Sequence, residues 1–347
     1  MPFSKIRHFG FLSFPCTASY YQPFRFFNCS ILHPKLHGSQ VEPKLSQKSR
    51  QKPADPKTVK DALDYCLEIV KTRDYDNYVA TLLMQKPVQC RALAIFALNA
   101  EVAVIRHKIK RNSGVTGIYQ LQFWKDALNL IYGNQPGPAP RQPVVTALRT
   151  FAKSADLELL QNLVAARTET LGDRPFPNID ALEKNSDAIH GSLIKLIAQA
   201  LDPEGLASRR SNCTEAASAM GKALGIVNLL RATIPLLKED VILLPADLMA
   251  IHGLNENDIF RNSKPDAFRA MSKEMCEISK HHLKTSRSYC HSLEKPLRTA
   301  FLSSGAKLDH LLGIFEKSGY NIQDSRLQKY YPLLTWQLWW RNFRNVY

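Results

Sequence analysis

The chain has 347 residues, 45% hydrophobic and 22% charged, a globular composition with apolar material for one large core or two smaller ones. Its formal charge is +15, but eight basic residues and one acid, Glu42, precede Asp55; the leader therefore carries +7 and the rest +8, which argues against a nucleic-acid-binding domain. Seven cysteines without a CxxC pair argue against a disulfide framework or structural zinc and fit a reducing compartment, and the lack of a long uncharged apolar run argues against a membrane-spanning helix.

Residues 1–54 mix Phe, Tyr, Ser and Pro with Lys and Arg and almost no acid. That composition predicts a disordered mitochondrial targeting leader, because import presequences are basic, Ser-bearing and acid-poor. The apolar stretch 9–14 is short, and Arg25 follows without the small-residue site of a secretory signal. From Asp55 and Pro56, a capping residue followed by a first-turn proline, helical spacing begins. Val59, Leu63, Cys66, Leu67 and Val70 fall on one face. Further helices are predicted over 91–107, 117–132, 157–171, 179–201, 212–231, 266–292, 296–315 and 328–347. The Pro/Gly-rich stretch 133–143 reads as a connector, and 241–244 as a short extended run ended by Pro245. The expectation is a single all-α domain over 55–347.

No nucleotide-binding glycine fingerprint, zinc-protease motif or nucleophile elbow is present. Gly221-Lys-Ala-Leu-Gly225 has the look of a phosphate loop, but it lies within a helical pattern and lacks the upstream glycine. His281 and His282 are adjacent, so they diverge on a helix and cannot chelate one metal together. No metal site and no cofactor is expected. Asn228 and Arg231, one turn apart in an apolar helix, are the polar pair that stands out.

Around that pair the chain resembles the squalene/phytoene synthase family. The carriers are the glycine-led run 221–231 ending in Asn228-Leu-Leu-Arg231, followed by Leu244-Pro-Ala-Asp247 and a helix ending in Gly253-Leu254. Tyr65-Cys66, Arg73-Asp74-Tyr75, the helix 91–107 and Leu121-Gln-Phe-Trp124 follow in the family's order, so the resemblance spans about residues 58–292. It implies an isoprenoid-synthase-like helical fold and, in enzymes, two DxxxD motifs whose carboxylates hold Mg²⁺ against a diphosphate leaving group. Here the first motif's acidic positions are Ala103, Val104 and His107, and the second's are Ala232 and Leu236; Glu101 and Asp187 remain nearby without restoring an i, i+4 pair. The resemblance therefore implies a non-catalytic member. It also marks Glu101, Asn228 and Arg231 as the remnant of the polar pocket.

Asn99-Ala-Glu101, Arg231-Ala232-Thr233, His252-Gly253 and the ending Gln337-Leu-Trp-Trp-Arg341 resemble a mitochondrial branch of the family. That likeness implies an early role in assembly of respiratory complex I, in the matrix at the inner membrane, with complex I subunits or other assembly factors as partners. The alternatives are a prenyl-diphosphate-condensing transferase or an isoprenoid- or quinone-binding protein using the same cavity. Three of the four Trp lie in 330–344 beside Arg341 and Arg344. The simpler expectation packs them into the core; the other places them at the headgroups of a bilayer.

Overall fold

In a computed structural model, residues 56–108, 114–133, 135–202 and 204–347 are described; the leader expected over 1–54 and the Asp55 cap lie outside them. Every regular element among the described residues is helical, as expected. In chain order these are α1 (Pro56–Arg73), α2 (Tyr75–Thr81), α3 (Lys86–Lys108), α4 (Gly114–Tyr132), α5 (Pro143–Phe151), α6 (Leu157–Glu169), α7 (Ile179–Ser186) and α8 (Ser192–Leu201). They continue with α9 (Ser211–Leu237), α10 (Ala246–Ile251), α11 (Glu256–Arg261), α12 (Pro265–Ser288), α13 (Lys295–Arg298), α14 (Leu302–Lys317) and α15 (Leu334–Arg344). The described residues make one compact unit.

Two apolar clusters make the interior. One gathers α1, α3, α5 and α6 around Cys66, Ile95, Leu98, Leu148 and Leu160. The other gathers α9, α12 and α14 around Met220, Val227, Met275 and Phe315. Tyr78, Leu201 and Ala300 touch both clusters and fuse them. By length and mean hydropathy alone, Lys86–Arg106 and Ser211–Leu237 would pass as membrane spans. Within the fold these two helices supply the cores, with Ala92–Leu98 and Ile226–Val227 buried.

The long element expected over 179–201 is interrupted. Between α7 and α8 the chain makes a π-helical turn, Asp187–Gly191. The extra residue brings Gly191 against α9: a Cβ added at Gly221 would sit 2.3 Å from the Gly191 nitrogen, and one at Gly225 would sit 2.0 Å from Ser186 Oγ. The Gly-x-x-x-Gly spacing of 221–225 thus lets two backbones cross, and has nothing to do with phosphate. Lys222, between them, pairs with Glu183 at 3.2 Å, and His282 Nε2 lies 2.7 Å from the other oxygen of Glu183.

α9 runs past the expected end at residue 231 to Leu237, with Pro235 inside its last turn. Proline has no N–H to give to the carbonyl four residues back. That carbonyl belongs to Arg231, and the Gln328 side chain donates to it at 2.6 Å. The stretch Val241–Leu244 is buried but pairs with no strand.

The terminal helix corrects the simpler expectation for its tryptophans. α15 buries Leu334 and Leu338, while Trp336, Trp339 and Trp340 face outward at 62%, 47% and 43% exposure. Tyr347 fills the core place instead, stacking on Phe301 with ring centroids 4.6 Å apart.

Candidate functional site

Where the two cores meet, α2, α3, α8, α9, α14 and the π-helical turn enclose a cavity of about 70 Å³. Its polar wall comes from Asp74, Asp76 and Asn77 at the start of α2, Asn99 on α3, His190 in the π turn, Asn228 on α9 and Lys307 on α14. The apolar wall is Phe96, Leu193, Ile194, Ile197 and Leu224. A void of this size holds a few waters.

The polar groups largely satisfy one another. Asn77 Nδ2 donates to Asp74 Oδ2 at 2.8 Å, and Lys307 pairs with Asp76 at 3.1 Å. From α6, Arg167 donates to Asn99 Oδ1 at 2.6 Å and to the Leu163 carbonyl at 2.7 Å. Burial raises the Asp74 carboxyl above its ordinary range, with Lys307 opposing. Burial lowers Arg167 to about 10, with Asp74 opposing, so the guanidinium stays charged at neutral pH. Burial, reinforced by Arg167 and Lys307, lowers His190 to about 3 and keeps its imidazole neutral. The Oδ1 of Asn228 is buried and has no hydrogen-bond partner.

The structure separates the three residues expected to share a pocket. Asn228 lines the cavity. Arg231 stands one turn further along α9, its buried Nε also unpartnered; burial lowers its pKa and Asp76 opposes. Glu101, two residues beyond Asn99, points to another side of α3, where the Tyr65 hydroxyl donates to it. There it borders a different groove, of about 680 Å³, with Tyr119, Phe123 and Trp124. Period 3.6 explains the split, because a two-residue step turns about 200° around the helix.

Of the motif positions, Ala103 is exposed, Ala232 is half-buried and Leu236 is core; the side chain of His107 lies outside the described residues. Asp187, near the second motif, is engaged by Lys195 at 3.2 Å and Ser218 at 3.0 Å. Among the described residues no group of three or more His, Cys, Asp or Glu could hold a metal ion. The aliphatic side chains at 103, 232 and 236 offer Mg²⁺ no oxygen, and the cavity's own acids sit against Asn77 and Lys307, so these residues do not fit the family's metal. Sequence reasoning missed Asp76, Asn77, His190 and Lys307 as cavity residues. Each looks like an ordinary helix residue in the chain, and only the meeting of five helices and the π-helical turn brings them together.

The sequence model of the squalene/phytoene synthase family matches residues 70–337. Among curated proteins, the chain is 30% identical to NADH dehydrogenase (ubiquinone) complex I, assembly factor 6 of Bos taurus, across 82% of each chain. It is 29% identical to the Homo sapiens protein of that name, again across 82% of each. A chloroplastic phytoene synthase of Narcissus pseudonarcissus is 24% identical over 76% of this chain and 62% of its own length. Among solved structures, a dehydrosqualene synthase with bound ligand superposes with a TM-score of 0.69 at 17% identity, covering 83% of this chain and 97% of that one. Squalene synthase HpnC from Alicyclobacillus acidocaldarius superposes at 0.65 and 13% identity, covering 77% and 97%. At these identities the superpositions establish the fold alone.

Proposed function

The chain belongs to the squalene/phytoene synthase family, and from that membership we propose that it is a non-catalytic assembly factor for mitochondrial respiratory complex I. The observation that carries the proposal is the 30% identity, over four-fifths of both chains, to a protein named for complex I assembly. We assign the action to an early step, in the matrix at the inner membrane, with complex I subunits or other assembly factors as partners and no nucleic acid. The acid-poor leader is assigned as the targeting segment for that compartment.

The site supports a role without prenyl transfer. A diphosphate leaving group needs its charge neutralised as it departs, and the positions that would hold Mg²⁺ for this are Ala103, His107, Ala232 and Leu236. The central cavity also weighs against a carrier that would use it, as distinct from the groove of about 680 Å³ at Glu101. Pockets for small organic ligands run to about 300–1,000 Å³, whereas the central cavity is about 70 Å³ and walled on one side by charged and amide groups.

The test is a blue-native gel of mitochondria from cells lacking the protein, with the activities of all respiratory complexes measured in parallel. Selective loss of mature complex I, with early subassemblies stalled and rescued by this chain, is the expected result. Intact complex I would overturn the proposal and direct attention to turnover of prenyl diphosphates with Mg²⁺.

A further inference from the structure

α15 is an amphipathic helix whose apolar content is divided between its two sides. Inward, Leu334 and Leu338 are 1% and 0% exposed. Outward, Leu333, Trp336, Trp340 and Phe343 recur at helical spacing in one stripe, flanked by Trp339, and are between 43% and 67% exposed. The rings support one another: Trp336 stacks on Trp339 at 5.2 Å, Trp339 on Phe343 at 5.8 Å, and the Arg344 guanidinium lies 6.0 Å from the Trp340 ring. The patch continues through Tyr330 onto Tyr75 of α2, whose rings meet edge to face at 5.1 Å.

The helix is firmly fixed from below. Asp309 on α14 receives Arg341 and the Arg287 fork, and Arg298 donates to the Asn345 carbonyl at 2.9 Å. The Tyr347 hydroxyl donates to the Ser286 carbonyl at 2.8 Å. Large exposed aromatics on a helix held this way mark a surface that meets something apolar. Charge identifies the partner. Within residues 325–347, which hold no Asp or Glu, Arg326 is engaged by Asp324 and Arg341 by Asp309, and the exposed Lys329 and Arg344 carry the charge that faces outward. A helix face is convex, so it offers a ridge rather than a groove for a peptide. Tryptophan has an apolar body with a polar N–H, which suits the boundary between headgroups and acyl chains.

We propose that the outer face of α15 is a docking surface for anionic lipid, with Trp336, Trp339, Trp340 and Phe343 set into the headgroup boundary and Arg344 against lipid phosphate. This rests on the inner-membrane placement proposed above and gives it a location in the fold. The helix lies in the membrane plane and spans nothing.

The chain's own tryptophans report the contact. Trp124, the fourth, is 5% exposed, and residues 1–54 contain no Trp, so quenching by a lipid reads α15 even if the basic leader also binds. Full-length protein is mixed with phosphatidylcholine vesicles carrying brominated acyl chains, with or without about 30% phosphatidylglycerol. Strong quenching is expected with the anionic vesicles and weaker quenching with the neutral ones. The variant Trp336→Ser/Trp340→Ser/Phe343→Ser should lose binding on the order of tenfold or more, with an unchanged melting temperature because its sites are exposed. Arg344→Glu should weaken binding to the anionic vesicles alone, and serves if the triple variant folds poorly. No quenching of the wild type, or equal quenching of the triple variant, overturns the lipid assignment. In cells lacking the protein, a triple variant that rescues complex I while failing on vesicles overturns the docking role and leaves the assembly proposal standing. Failure of the wild type to rescue sinks the assembly proposal whatever the vesicles do. A variant that fails in cells when the wild type itself ignores vesicles places a protein partner on α15 and overturns the lipid assignment.

Discussion

Gly221→Ala sets two opposing effects against each other, and the structure decides between them. In a helix interior, alanine is favoured over glycine by about 1 kcal/mol. At Gly221 the new methyl would stand 2.3 Å from the Gly191 nitrogen, 2.6 Å from Gly191 Cα and 3.1 Å from the His190 carbonyl carbon. All three are backbone atoms, so no side-chain rotation relieves them. Ordinary carbon contacts lie at about 3.5–4.0 Å, so α9 and the π-helical turn must part by roughly 1 Å. That gap loosens the seam holding Ser218 to Asp187 and Lys222 to Glu183. Overpacking of this kind costs about 1–3 kcal/mol, and rigid backbone on both sides puts this case at the upper end or beyond. The net expectation is a loss of about 2 kcal/mol, a fall of roughly 4–8 °C in melting temperature at about 2–4 °C per kcal/mol. Gly313→Ala is the matched control. It lies within α14 with nothing within 4 Å of its added Cβ, and should be neutral or stabilising by up to about 1 kcal/mol. Thermal unfolding followed by far-ultraviolet circular dichroism reads both. If Gly221→Ala melts at or above the wild type, together with Gly313→Ala, the close crossing of α9 and the π turn is wrong.

Three further outcomes are expected. Burial raises the Asp309 carboxyl, but hydrogen bonds from Arg287 and Arg341 outweigh it and hold the group below its ordinary range; its support is therefore present at neutral pH and is lost as pH falls through the folded value. Asp309→Ala should cost about 2–3 kcal/mol at neutral pH and free α15, read as earlier proteolysis within 334–344; unchanged cleavage would refute the tie-down. Because the folded state holds His190 at about 3 against an ordinary 6.5, the unfolded chain takes up that proton first. Stability should therefore fall by at most about 1.4 kcal/mol per unit as pH drops from 6.5 towards 3, and His190→Gln should flatten melting temperature against pH over that window. Asn228→Leu removes an unpartnered buried oxygen at similar volume, so stability should change by less than about 1 kcal/mol in urea unfolding; a larger loss would mean that Asn228 has a partner in solution.

What the sequence determined on its own rests on local periodicity and ordered fragments. The stripe through Cys66 and Val70 marks the buried side of α1, and the all-helical class follows from such stripes, because 3.6-residue spacing is written into each segment separately. The synthase resemblance was legible because its fragments recur in order along the chain. Sequence did not reveal which faces meet. Asn99 and Glu101 look equivalent in the chain, yet one reaches the cavity and the other the Tyr65 groove. The π-helical turn is invisible in the pattern of 179–201, since its cause is the close approach of α9 at Gly221 and Gly225. The continuation of α9 through Pro235 is hidden as well, because the orphaned Arg231 carbonyl finds its donor 97 residues away in Gln328. The outward turn of the tryptophans had the same kind of cause. Leu334, Leu338 and Tyr347 compete with them for one core face, and only the packed interior, through Phe301, Ser286 and the arginines around Asp309, decides which side of an amphipathic helix is buried.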